Sequence, residues 1–149
     1  MIANTIGIDL GIQCFAFLSD GRKIEPPKYL LQAEKKLQKE QRRLSRRQKG
    51  TGNWEKQVEK VQKIHTKVAN QRRDFLHKQS YRIAEAYTVA VVEDLNIRNM
   101  VKNRRIAKQI YDAGWGMFRD MLVYKLEHRG RTFIKVKPHY TSVECSDLR

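Results

Sequence analysis

Cysteine is almost missing from this chain of 149 residues, which has only Cys14 and Cys145. Two thiols make no disulfide framework, suit a reducing, cytoplasmic compartment and cannot complete a four-cysteine zinc site. Long apolar runs are missing too, which excludes a helix spanning a bilayer. The N-terminus has no basic segment followed by a long apolar one, so it reads as a strand and not as a signal peptide. There is no internal repeat and no low-complexity linker. The length allows one domain with a real core but not two. Acid is scarce: 16 Asp+Glu stand against 31 Lys+Arg, a formal net charge of +15. That imbalance repels itself unless a polyanion neutralises it. A nucleic-acid backbone is the expected partner, with an anionic membrane surface as the rival.

The chain opens with strand signals. Thr5 to Gly11 alternates and is rich in β-branched residues, Cys14 to Leu18 is a second apolar strand, and Ser19-Asp20-Gly21 is a turn leading to a short third strand at Lys23-Ile24. After Pro26-Pro27 the period changes. Leu30, Leu37 and Leu44 recur every seven residues, which predicts a helix with a thin apolar stripe. Lys49 to Asn53 breaks it, and a second helix follows, with Trp54, Val58, Val61, His65, Val68 and Phe75 on one face, running to about Tyr87. The two form an antiparallel hairpin in which His65 is expected to be packed. Thr88 to Glu93 is a nearly continuous apolar strand, expected to be central and covered on both faces. Asn96 to Lys108 is a basic loop leading into a short helix, Gly114-Trp115-Gly116 is a break, Met117 to His128 is a helix ended by Gly130, and Thr132 to Val136 is the last strand, stopped by Pro138. Strands alternating with helices imply an α/β fold, a mixed sheet flanked by helices.

Two acids carry the chemistry. Asp9 and Glu93 each close an apolar strand beside a glycine or a polar turn. If the strands are neighbours, the carboxylates converge at one sheet edge, where hard oxygen ligands suit Mg²⁺ or Mn²⁺. Each acid taken alone reads more readily as a turn or capping residue than as a ligand. Asp94 points away from Glu93 and is a poorer ligand. The second feature is charge. Between Glu34 and Arg73 there are fourteen basic and four acidic residues, ten of the fifteen net charges. Arg42-Arg43 and Arg46-Arg47 repeat at four residues and form one strip along a helix, able to grip phosphates bidentately. Lys35, Lys39, Arg42, Arg43, Arg46, Arg47, Arg72 and Arg73 are the candidate nucleic-acid contacts. A solvated helix face is the bland alternative, but such faces usually mix signs. Cys14 is expected to be an inert buried thiol. Trp115 reads as core, with stacking on a base as the alternative.

These residues resemble a known family. Gly7-Ile8-Asp9-Leu10-Gly11 with Ser19-Asp20-Gly21 is similar to the first RuvC motif of TnpB (OrfB-type) insertion-sequence proteins, and Val92-Glu93-Asp94-Leu95-Asn96 to their second. Val68-Ala69-Asn70-Gln71-Arg72-Arg73-Asp74-Phe75-Leu76-His77, Asp112-Ala113-Gly114-Trp115-Gly116 and Pro138-His139-Tyr140-Thr141-Ser142 resemble further family signatures, in the family order. The resemblance implies an RNase H-like (RuvC) fold over residues 1–149, with the basic hairpin inserted at about 30–87. It also implies an RNA-guided, Mg²⁺- or Mn²⁺-dependent DNA endonuclease related to type V CRISPR effectors, with Asp9 and Glu93 as catalytic metal ligands, DNA and guide RNA as partners and no membrane. In the family a Cys-x-x-Cys pair opens a zinc ribbon after Thr141-Ser142. Here Cys145 stands as the first member and Leu148 and Arg149 follow where the second is expected. The zinc site, the third RuvC aspartate and the family's N-terminal recognition region are thus expected to be missing from this stretch; Glu144 and Asp147 do not match the third motif. A two-metal site normally needs another acid, so weak or no cleavage by this chain alone is expected, and a catalytically inactive nucleic-acid-binding remnant is the alternative.

Overall fold

The computed structural model describes residues 4–138. Five strands form one mixed sheet: β1 (Thr5–Leu10), β2 (Ala16–Leu18), β3 (Lys23–Ile24), β4 (Val89–Glu93) and β5 (Thr132–Val136), in the order β3-β2-β1-β4-β5. The first three strands make an antiparallel meander, while β1 pairs parallel with β4 and β4 parallel with β5. Parallel neighbours need long crossovers. The first is made by α1 (Tyr29–Ser45) and α2 (Gly52–Ala86), the second by α3 (Ile97–Met100), α4 (Arg104–Ala113) and α5 (Trp115–Glu127).

The alternation of β1 sets the layering. Ile6, Ile8 and Leu10 are buried, as are Ala90 and Val92 of β4, and they meet Leu76, Ile83 and Ala84 of α2 and Phe118, Leu122 and Leu126 of α5 in one core. Phe15 sits at its centre, edge-on to Phe75 at 5.3 Å and to Phe118 at 5.2 Å. Such pairs add about 0.5–1.5 kcal/mol each beyond the area buried. β4 is central, as expected, but among the described residues it is not covered on both faces. Val89 and Val91 are only partly buried, and Phe17, Ile134 and Val136 on the neighbouring strands are about two-fifths exposed. An apolar run is compatible with two covered faces but does not require them; both packed helices lie on the Ile8–Val92 side.

At about 50 Å, α2 is long enough to serve two neighbours. Thr51 caps its first turn, its hydroxyl accepting from the N–H of Trp54 at 3.3 Å. Its N-terminal part packs on α1 and its C-terminal part on the sheet and α5. The hairpin is joined at its centre by polar groups: Gln57 donates to the Glu40 carboxylate at 2.7 Å and to the Glu40 carbonyl at 3.0 Å. The stripe of α2 steps from Val61 through Ile64 to Val68, which leaves His65 exposed and not packed as expected. One helical position is a rotation of about 100°, enough to carry it off the stripe. Between α2 and α5, buried Lys125 donates to the His77 carbonyl and to the Ser80 hydroxyl, both at 2.7 Å. Burial pushes its ammonium pKa down.

Several boundaries differ from expectation. β2 begins at Ala16, because Cys14 lies in the preceding bend, buried, its thiol donating to the carbonyls of Ala16 and Ile24. α1 ends at Ser45, so Arg46 and Arg47 lie past its last turn. The basic loop after Asn96 holds two helices, each capped by an asparagine, Asn96 and Asn103. Trp115 is the first residue of α5 and fully in the core, so it offers no face for stacking on a base.

Candidate functional site

Asp9 and Glu93 meet where β1 runs beside β4. The last paired residues of this ladder are Ile8 and Val92, both pointing into the core. Asp9 and Glu93 are each the next residue. Alternation therefore puts both carboxylates on the opposite, open face, on strands about 4.8 Å apart. They line one cleft of about 810 Å³ together with Gly7, Phe17, Ser19, Val91, Val136 and Lys137. Asp9 is exposed and Glu93 partly buried. Ser19 shapes the floor: its hydroxyl accepts from the N–H of Gly7 at 2.9 Å, and a side chain at Gly7 would touch its Cβ at 3.4 Å. Asp94 turns away and pairs with Lys135 at 2.9 Å. Two adjacent hard carboxylates in an open cleft are a donor set that fits Mg²⁺ or Mn²⁺, which keep several waters. Among the described residues no group of three His, Cys, Asp or Glu side chains could hold a metal.

The basic residues divide into two groups. Lys35, Lys39, Arg42, Arg43 and Arg46 line a shallow groove of about 500 Å³ along α1 with Gln38. Glu40 lies at its edge and accepts from Arg43 at 3.0 Å. The Gln57 amide, and then Arg43 and other cations, hold the Glu40 carboxyl below the usual range. Arg73 is exposed on α2. Arg47 departs from the strip, because past the helix end it donates to the Asn53 carbonyl at 2.8 Å and closes the hairpin turn. Arg72 departs as well: its guanidinium bonds Asp112 at 2.8 Å, with both side chains largely buried. Sequence spacing could not show these two uses, since Asn53 belongs to the next helix and Asp112 lies forty residues further on. Cys145 lies outside the described residues, as do His139 to Ser142.

One cluster went unnoticed in the sequence. Asp20, in the β2–β3 turn, accepts from Tyr87 at 2.5 Å and from Arg22 at 2.7 Å, tying the turn to the end of α2. The Tyr87 hydrogen bond, then that of the Arg22 N–H, lowers the Asp20 carboxyl pKa. The Ser-Asp-Gly turn signal was the only hint.

A five-stranded mixed sheet with an acidic pair at the ends of two central parallel strands defines an α/β protein with an acid-bearing cleft on its open face. Comparison with known families narrows this class. The OrfB_IS605 model, described as "Probable transposase", matches residues 2–104, and the model of the Cas12f1-like TNB domain matches residues 115–149. The chain belongs to the OrfB (IS605) family, the TnpB-type proteins that its motifs resemble. It is similar to the "Putative RNA-guided DNA endonuclease InsQ" of Escherichia coli (strain K12), 36% identical over 159 residues, which cover 97% of this chain and 40% of that protein. A "Putative RNA-guided DNA endonuclease" of Streptomyces pristinaespiralis is 39% identical over 137 residues, 92% of this chain and 34% of its own. The "CRISPR-associated endodeoxyribonuclease Cas12f1" of Sulfoacidibacillus thermotolerans is 24% identical over 156 residues, 95% of this chain and 36% of its own. The chain thus spans 40% or less of the length of these relatives. No helix of the described residues is long and apolar enough to cross a membrane.

Proposed function

We propose that this chain is the RuvC-like, RNase H-like nuclease part of a transposon-encoded, RNA-guided DNA endonuclease, a partial domain over residues 1–149 with the basic hairpin inserted at about 30–87. The observation that carries the reading is the placement of Asp9 and Glu93 side by side, one residue beyond the paired Ile8 and Val92, in one open cleft. These two carboxylates would hold Mg²⁺ or Mn²⁺. When bound, the ion supplies Lewis-acid activation of a phosphodiester and of water. The chain's own part is to fix the two oxygen donors on the rigid edge of a parallel ladder and to leave the sheet face above them open to a strand of DNA. The groove of α1 would follow a phosphate backbone of guide RNA or of the guide–target duplex, reading shape while base pairing supplies sequence. The names of the relatives support DNA and guide RNA as partners.

Among the described residues no third acid joins the two carboxylates, which favours a second reading, a binding remnant without catalysis, and under either one cleavage by this chain alone is expected to be weak. The test pairs two measurements on the wild type and Asp9→Ala. Mn²⁺ binding should be lost in the variant, and any cleavage of single-stranded DNA with Mn²⁺ should disappear with it. Unchanged Mn²⁺ binding in Asp9→Ala, or equal cleavage by both proteins, would overturn the metal site.

A further inference from the structure

A separate cleft of about 590 Å³ lies between the β1–β2 loop, the entry of α1 and the exposed side of α4, within the size range of small-ligand sites, roughly 300–1,000 Å³. Its wall is mainly apolar, made by Ile12, Pro26, Pro27, Leu31 and Ile106, and Leu31 is 58% exposed. Its rim is cationic, carrying Lys28, Arg105 and Lys108. The acid in its lining, Asp112, holds Arg72, and Glu34 nearby holds Lys108, while Glu25 beside Pro26 is exposed. The charge continues away from the cleft. From Leu95 to Tyr111 the chain has five basic residues and no acid. Of these, Arg98, Lys102, Arg104 and Arg105 are exposed and make no ion pair among the described residues.

We propose that this cleft is a second nucleic-acid contact, holding one unpaired base of a single strand against its apolar wall while Lys28 and Arg105 take the flanking phosphates. The inference rests on the nucleic-acid reading above but not on the carboxylate cleft. An acid-free cationic track leading out of the cleft matches a polyanion and mismatches a mixed-charge protein surface. The apolar wall then decides which polyanion. Bases stacked inside a duplex cannot reach such a wall, whereas the bases of a single strand can leave the stack and bury a face. The α1 groove is shallow and lined by long cationic and amide side chains, so it follows backbones of either kind; the α4 cleft discriminates.

The test is binding by the full chain to two labelled probes at one salt concentration, an oligothymidylate and a blunt duplex of equal length. Leu31→Glu places a carboxylate at the mouth of the cleft on an exposed side chain, and the double variant Lys28→Ala/Arg105→Ala removes the phosphate contacts. Each should weaken single-strand binding about tenfold while the duplex affinity stays within about twofold. If Leu31→Glu loses its melting transition, the double variant decides. Unchanged single-strand affinity, as expected if the cleft takes a protein segment instead, or equal losses on both probes, would overturn the proposal. If Arg42→Ala/Arg46→Ala still weakens both probes in that case, the cleft proposal falls while the nucleic-acid reading stands. A wild-type chain that binds neither probe removes both.

Discussion

Arg72 of α2 and Asp112 of α4 form an ion pair of 2.8 Å under the turn into α5, with only about a fifth of the arginine and a seventh of the aspartate side chain exposed. The pair joins the Val68–His77 segment to the Asp112–Gly116 segment, two stretches that resemble family signatures. Neither lines the carboxylate cleft. They make the joint that holds α2, α4 and α5 on the sheet: Phe75 and Leu76 enter the core, and the His77 carbonyl receives Lys125.

Removing one partner should therefore destabilise the fold more than a surface pair would. Breaking a fully buried pair costs about 3–5 kcal/mol. With both side chains partly solvated here, Asp112→Ala is expected to cost about 2 kcal/mol, or roughly 4–8 °C in melting temperature. A double-mutant cycle with Arg72→Ala should show strong coupling. Additive losses in thermal melts would mean that the two residues act separately.

Gly114 closes the same joint. Its φ of +68° lies in the left-handed region, and a side chain there would meet Leu76 at 3.0 Å and Arg72 at 3.2 Å. The backbone term alone predicts about 1–2 kcal/mol for Gly114→Ala, and the contacts add to it. Asn tolerates the left-handed region better, so Gly114→Asn separates the terms. If contact dominates, its denaturation midpoint should fall about as far as that of Gly114→Ala.

The two groups of arginines should separate in a salt titration. Each phosphate contact contributes roughly 0.7–0.9 to the slope of log affinity against log salt. Arg42→Ala/Arg46→Ala should lower that slope by about 1.5 with little change in melting temperature. Arg72→Ala should do the reverse, leaving the slope intact and lowering the melting temperature. An unchanged slope in the double variant would remove α1 from the interface.

Glu40 predicts a pH dependence for the hairpin. The Gln57 amide, with Arg43 and other cations, holds its folded-state carboxyl below the ordinary value. The unfolded chain then binds more protons between the two values, so stability rises with pH across that window. The stabilisation is complete above the unfolded value, about 4.3, and is lost as pH falls through the folded one. In Glu40→Gln this part of the acid-side fall in melting temperature should be missing. Parallel pH profiles for the two proteins would show that the Gln57 link does not discriminate between the charged and neutral acid.

Most elements were legible because their signals are local. The alternation Ile6–Ile8–Leu10 makes a strand, the Lys49–Asn53 stretch separates α1 from α2, and the break at Gly114 ends α4 by its left-handed backbone. The pairing of Asp9 with Glu93 was legible only as a condition, that their strands be neighbours. Where local signals were ambiguous the reading failed. His65 fits the apolar stripe by spacing yet is exposed, and the apolar β4 has one open face.

The sequence by itself determined the type of chemistry available: two acids at strand ends, a basic hairpin, too few cysteines for a four-cysteine zinc site, and the order of elements. These follow from composition and from interactions within a few residues. Only the tertiary structure decided which charges are free. Arg47 closes a turn, Arg72 meets an acid forty positions away, and Arg42 and Arg46 stay on an open groove. Identical guanidinium groups thus differ through partners that sequence spacing does not encode. The same holds for the acids: packing of α2 and α5 on one face of the sheet leaves Asp9 and Glu93 together on the other.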